Sequence, residues 1–205
     1  MFDAANARRL MVEGQVRTAN VTDAVLLDAM LTLPRERFLP PELAPLAYVD
    51  ADIPVAKGRS LLKPMVLAKL VQAARVEAKD RVLDVGCATG YSSAVLARLA
   101  GSVVALEEDA DLASQAKSAL AAVGAVQVEV VTGPLTAGWA AGGPYDVILL
   151  NGATEVAPET LGRQLRIPIA VVLGDTPDPP ADTPALLCPG LNELQTYAEP
   201  RIALS

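Results

Sequence analysis

The stretch Arg81-Val-Leu-Asp-Val-Gly-Cys-Ala-Thr-Gly90 constrains the fold of this chain more than any other. Val82 to Val85 is a short apolar run bounded by a glycine-rich turn, the pattern of a buried strand. Tyr91 to Leu99 follows with helical spacing, and Val103 to Glu107 is a second apolar run that ends in an acid. Strand, tight turn, helix and strand make a βαβ unit, because parallel strands need a long crossover. In open parallel sheets ligands bind beyond the carboxyl ends of the strands, and an acid at the end of the second strand stands where a nucleotide ribose is held.

The same alternation continues downstream. Asp109 to Val123 reads as a helix stopped by Gly124, Val126 to Val131 as a strand, Tyr145 to Leu150 as a strand after the Gly142-Gly-Pro144 turn, Pro158 to Leu165 as a short helix and Ile169 to Leu173 as a further strand. The fold expected is α/β: a doubly wound, mostly parallel sheet covered by helices on both faces.

Upstream the chain reads as helical. Arg8 to Val16 has a mixed face, Thr22 is a candidate cap, and Val25, Leu26, Ala29, Met30 and Leu33 fall on one helical face before Pro34. Tyr48 to Val55 reads as a loop or short strand, Lys57-Gly-Arg-Ser60 as a turn, and Met65 to Ala74 as a helix with Pro64 in its first turn. One domain is expected, with a helical extension over 1–75, a cofactor-binding core over 80–173 and a proline-rich tail over 174–205 that adds at most one edge strand.

Composition narrows the chemistry. There is no histidine, which excludes Ser-His and Cys-His catalysis and histidine-ligated zinc, and no metal site is expected. A net charge of −7 argues against broad binding to nucleic acid or anionic membranes. No apolar run reaches the ~20 residues of a membrane span, and the first residues carry no secretory pattern. With only 2 cysteines a disulfide framework is not expected, and the chain reads as cytoplasmic.

Gly86 and Gly90 let backbone approach a ligand closely; Asp84 is placed to accept a hydrogen bond from a ligand amine, and Glu107 to accept two from a ribose diol. A dinucleotide fingerprint needs G-x-G-x-x-G, and a phosphate-binding loop needs its lysine; neither is present. Alanine at 88 is a mild replacement for glycine unless the backbone there takes a positive φ. Cys87 fits a tight turn by its size, and the helix that follows would lower its thiol pKa.

Gly86-x-Ala88-x-Gly90 resembles the G-x-G-x-G loop of class I methyltransferases, which bind S-adenosylmethionine. Met11-Val-Glu-Gly-Gln15, Asp23 to Met30, Pro34-Arg-Glu-Arg-Phe-Leu-Pro40, Ala47-Tyr-Val-Asp50 and Pro144-Tyr-Asp-Val-Ile-Leu149 resemble the protein-L-isoaspartate O-methyltransferase family. The resemblance runs over about residues 10–165. It implies an S-adenosylmethionine-dependent enzyme that methylates a carboxyl group of isoaspartyl residues in damaged protein or peptide. It places Asp84, Gly86, Cys87, Ala88 and Gly90 along the methionine and ribose of the cofactor, Glu107 at the ribose hydroxyls, Gly133 at the adenine and Asn151 near the methionine end.

Three positions depart from the family pattern. Where the family reads Thr-Ile-Ser-x-Pro, this chain has Ser60-Leu-Leu-Lys-Pro64, so Leu62 falls on the active-site serine and Ser60 on the threonine. Ser60 is therefore the candidate catalytic residue, as the hydroxyl that remains. Pro134 stands where the family has an acid for the adenine amino group, and Arg166-Ile-Pro-Ile169 with the proline-rich tail replaces the family's turn and hairpin. Two further functions follow from these departures: a methyltransferase of the same lineage with a different acceptor, and a non-catalytic S-adenosylmethionine-binding module.

Overall fold

Alternation within three short strands builds the centre of the molecule. In β3 (Arg81–Val85), β4 (Ser102–Glu107) and β6 (Val147–Leu150), Val82, Val103, Ala105, Val147 and Leu149 join one apolar cluster. The intervening Leu83, Val85, Val104, Leu106, Ile148 and Leu150 join a second cluster on the opposite face. A sheet buried on both faces needs apolar residues at consecutive positions, as these strands have. The computed structural model describes residues 3–152, 158–166, 171–172 and 201–204.

The sheet runs in the order β5-β4-β3-β6-β8-β7, with β5 at Val128–Thr132, β7 at Val171–Val172 and β8 at Arg201–Leu204. Every pairing is parallel. The first cluster is covered by α3 (Pro64–Ala74), α4 (Tyr91–Leu99) and α5 (Ala110–Ala122), the second by α6 (Glu159–Gly162) and the turns that carry Leu135 and Trp139. The expected doubly wound α/β sheet is the fold observed.

The N-terminal segment is helical, as its sequence predicts. α1 (Ala4–Met11) runs into a π-helical turn, Val12–Val16, and a 3₁₀ turn, Arg17–Ala19, before α2 (Ala24–Thr32). Met11, Val12, Val16, Leu26 and Met30 are buried in the same cluster as Ala94 and Val95 of α4.

Three details differ from the sequence reading. The cap of α2 is Asp23, whose carboxylate accepts from the N–H groups of Val25 (2.9 Å) and Leu26 (3.0 Å), so Thr22 is one residue too early. Lys57 to Ser60 is not all turn: β1 (Ile53–Ala56) and β2 (Arg59–Leu61) form an antiparallel hairpin that takes Arg59 and Ser60 into a strand. The C-terminal strand is not at an edge, since β8 lies between β6 and β7 and is parallel to both. Four residues are too few for a periodicity to declare whether a strand has one neighbour or two. The proline-rich segment 174–184 and the strand positions expected at 169, 170 and 173 lie outside the described residues.

Candidate functional site

Three adjacent strands deliver one polar group each to the carboxyl edge of the sheet: Asp84 in β3, Glu107 at the end of β4 and Asn151 just after β6. Asp84 is fully buried. One carboxylate oxygen accepts from Ser92 Oγ at 2.7 Å and from Ser93 Oγ, both in the first turn of α4; the other accepts from Asn151 Nδ2. Asn151 Nδ2 lies also 3.1 Å from Ser92 Oγ. Burial pushes the Asp84 carboxyl up to about 6, against the pull of its three donors. Asp84 therefore acts on the site through Asn151 and Ser92, which it orients.

Glu107 is likewise fully buried. It accepts from the main-chain N–H groups of Ala88 (2.9 Å), Glu108 (2.9 Å) and Asp109 (3.2 Å) and from Arg59 Nε (3.1 Å). The carboxylate thus ties the glycine-rich loop to the end of β4 and holds the β1–β2 hairpin over both.

The loop itself has a telling hydrogen-bond pattern. Gly86 and Cys87 donate their N–H groups to Leu106 O (2.8 and 3.2 Å), Gly90 donates to Cys87 O (2.8 Å), and Ala88 donates to Glu107. A phosphate cradle presents such N–H groups to its ligand. Here four of them are engaged within the protein, so the loop offers close approach and not an anion nest. Gly86 (φ +74°) shows how close: a Cβ there would stand 3.2 Å from Asn151 O. A buried carboxylate with hydroxyl and amide groups beside it, and a loop whose N–H groups at Gly86, Cys87, Ala88 and Gly90 are engaged internally, fit an amino-acid nucleoside better than a dinucleotide.

Between the hairpin and this loop lies a small, partly open cavity of about 10 Å³, lined by Ser60, Leu61, Leu62, Gly86, Cys87, Ala88, Tyr91, Ser92 and Asn151. That is room for about one water molecule. The Leu62 carbonyl at its wall is held by a buried guanidinium. Arg35 Nη2 donates to Leu62 O (2.6 Å) and Nε to Ala47 O (2.6 Å), and the guanidinium stacks 4.7 Å from the centre of the Tyr91 ring. Burial lowers the pKa of Arg35, whose Nη1 has no hydrogen-bond partner among the described residues.

Residues 5–172 match the family model of protein-L-isoaspartate(D-aspartate) O-methyltransferase. The chain belongs to that family. It is 41% identical over 164 residues to the protein-L-isoaspartate O-methyltransferase of Methylorubrum extorquens (strain PA1), covering 80% of this chain and 72% of the relative. It is 37% identical over 164 residues to that of Methanoregula boonei, covering 80% and 76%. A solved protein-L-isoaspartate O-methyltransferase superposes with a TM-score of 0.68 at 26% identity over 78% of this chain; this chain spans 52% of that one, about half its length. A Plasmodium falciparum structure described under the same activity, in complex with S-adenosyl-L-homocysteine, shares the fold with a TM-score of 0.65 at 17% identity, covering 77% of this chain and 79% of that one. The family and the class I methyltransferase fold implied by the sequence resemblance are therefore those of the chain.

The structure brings most of the expected site residues together. Ser60, Gly86, Cys87, Ala88 and Asn151 line one cavity, Asp84 lies beneath it, and Glu107 bonds the N–H of Ala88. Gly133 follows β5 beside β4 and donates its N–H to Glu107 O (3.1 Å), so it lies next to Glu107 at the sheet edge. Gly90 lies behind the loop, against α5: a Cβ there would stand 3.2 Å from Ala116 Cβ.

One sequence expectation about the loop needs correction, and a conditional one is decided. The thiol of Cys87 is not lowered by α4; it is raised well above its ordinary value, first by burial and then by the charges of Asp84 and Glu107. Ala88 adopts φ +49°, so the alanine sits in the left-handed region that favours glycine. Four residues of the site escaped the sequence reading: Arg35, Arg59, Ser92 and Ser93. The serines carried a usable signal, because side chains in the first turn of a helix after a strand can reach back to an acid in that strand. The arginines act over long sequence separations and carried none.

Proposed function

We propose that the chain transfers the methyl group of S-adenosylmethionine to a carboxylate of isoaspartyl residues in damaged proteins or peptides. The observation that carries this reading is Glu107, buried at the end of β4 next to a glycine loop whose N–H groups are engaged internally, in a chain of this family. S-adenosylmethionine supplies an electrophilic methyl on a sulfonium. A carboxylate acceptor is already ionised at neutral pH, so no general base is needed, and a chain without histidine is suited to the reaction.

The protein contributes positioning and exclusion of water. Glu107 would hold the ribose hydroxyls. Asn151 and Ser92, oriented by Asp84, would face the methionine end. Ser60 is the hydroxyl that lines the cavity on the hairpin side and would bond the acceptor. Arg35 fixes the backbone of Leu62 and so the wall against which the acceptor rests. The reaction takes place in a single domain, and we place the protein in the cytoplasm; no helix among the described residues is long and apolar enough to cross a membrane.

Leu62 favours a second reading. It puts an aliphatic side chain on the cavity wall where the family has a hydroxyl, which suits an acceptor with an apolar neighbour group. Incubation with methyl-labelled S-adenosylmethionine and an isoaspartyl peptide tests both. Formation of a base-labile methyl ester is the expected result. Binding of S-adenosylhomocysteine without ester formation on any isoaspartyl peptide would refute the first reading and leave the second.

A further inference from the structure

While Arg59 is in place, Glu107 has little acceptor capacity left for a ribose diol. A carboxylate has about four lone-pair sites, two on each oxygen: here Oε1 already takes the N–H groups of Glu108 and Asp109 and Arg59 Nε, and Oε2 takes the N–H of Ala88, with Arg59 Nε 3.4 Å away across its second site. A diol brings two more hydroxyl donors. The three main-chain donors are fixed by the strand end and by the loop's own bonds to Leu106 O. Arg59 is the donor carried on a rotatable side chain.

Arg59 also has somewhere to go. Its Nη2 is 3.7 Å from Glu108 Oε2, and the Glu108 side chain is 61% exposed. Turning toward Glu108 exchanges a buried carboxylate for one in water, so the guanidinium keeps a partner and loses little. The same move loosens the hairpin, because Arg59 is in β2 and its neighbour Ser60 lines the 10 Å³ cavity, which is too small for any part of an amino-acid nucleoside larger than a water.

We propose that Arg59 and the ribose diol of the cofactor compete for Glu107, so that Arg59 sets cofactor affinity and couples it to opening of the β1–β2 hairpin. The proposal rests on the cofactor reading above. Arg59 acts here as a positioning residue, through Glu107 and not through the reacting atoms.

Calorimetric titration of S-adenosylhomocysteine into the wild type, Arg59→Gln and Arg59→Ala tests it, with the melting temperature of each protein recorded alone to show that it folds. Removing the competitor is expected to tighten binding by roughly threefold to tenfold in both variants. The gain depends on the diol. Followed by ligand-detected NMR, adenosine is expected to tighten alike, while its dideoxy analogue, which makes no demand on Glu107, keeps its wild-type affinity. Binding to the wild type that weakens or stays unchanged in folded Arg59→Gln and Arg59→Ala would overturn the exchange and leave the cofactor reading standing. Equal tightening of adenosine and its dideoxy analogue would also overturn it. Failure of all three proteins to bind S-adenosylhomocysteine would sink the cofactor reading and the exchange together.

Discussion

Asn151 Nδ2 donates to Asp84 Oδ1, and this hydrogen bond joins the carboxyl ends of β6 and β3 at the floor of the site. The Asp84 carboxylate is buried and is pushed up to about 6 from an ordinary 3.8, burial being the largest cause. A carboxyl whose pKa is raised on folding binds its proton more tightly in the native state. Between about 4 and 6 the folded protein therefore holds more protons at this site than the unfolded chain, and stability falls as pH rises through that window.

The expected signature is a difference between proteins. Relative to Asp84→Asn, the wild type should lose stability from pH 4 to pH 6, on the order of 3 kcal/mol in all, and hold a constant difference above pH 7. Denaturant unfolding of both proteins across that range measures it. A constant difference across the window would show that the donors from Ser92, Ser93 and Asn151 offset the burial.

Gly90 makes a backbone prediction. It caps α4 at φ +92°, and a Cβ there would stand 3.2 Å from Ala116 Cβ and 3.3 Å from Leu120 Cγ. Gly90→Ala therefore meets both an unfavourable dihedral and a close contact between α4 and α5. A loss of about 2 kcal/mol is expected from thermal or denaturant unfolding. Ala88 is the contrast: its φ of +49° already strains an alanine. Ala88→Gly relieves that strain but removes a buried methyl and adds freedom to the unfolded chain, so its stability should stay within about 1 kcal/mol of wild type.

Arg35 is a buried cation that bonds two carbonyls, Ala47 O and Leu62 O. Arg35→Met removes a costly buried charge but leaves both acceptors without that donor. Because hydrogen bonds from a charged group are the stronger kind, the loss should dominate, by about 3 kcal/mol in equilibrium unfolding. Arg35→Lys should lose nearly as much, since one ammonium does not span two carbonyls that a guanidinium fork does. A methionine variant as stable as wild type would show that the burial penalty outweighs the two bonds.

The parts of this fold legible in sequence are those set by short-range pattern. Val82 to Val85, the turn to Gly90 and the helix from Tyr91 each declare themselves within ten residues, and Glu107 follows at the end of the next strand. The cap of α2 was missed by one residue because Thr22 and Asp23 are both good caps, and only the geometry shows which carboxylate or hydroxyl meets Val25 N. What sequence could not carry is pairing across distance. The Arg59–Glu107 contact needs the hairpin folded over the loop, and the bond from Arg35 to Leu62 needs two loops brought together. The place of β8 between β6 and β7 depends on the order of strands, which no local pattern encodes.

Leu62 lies on the cavity wall beside Ser60, at the position where the family pattern places a serine hydroxyl. A leucine there can exclude water from the acceptor but cannot donate to its carboxylate. Leu62→Ser restores one donor at a site whose backbone is already held by Arg35. By comparison with donors removed from other transition-state sites, kcat/KM toward an isoaspartyl peptide should rise by roughly tenfold to a hundredfold. The gain should appear mainly in kcat if the new hydroxyl meets the acceptor only as the bond forms, and mainly in KM if it binds the ground state equally well. Steady-state kinetics on wild type and variant, with S-adenosylhomocysteine affinity measured on both, separate these outcomes from a change at the cofactor. An unchanged cofactor affinity together with no gain toward isoaspartyl peptides would show that Leu62 belongs to a pocket built for another acceptor.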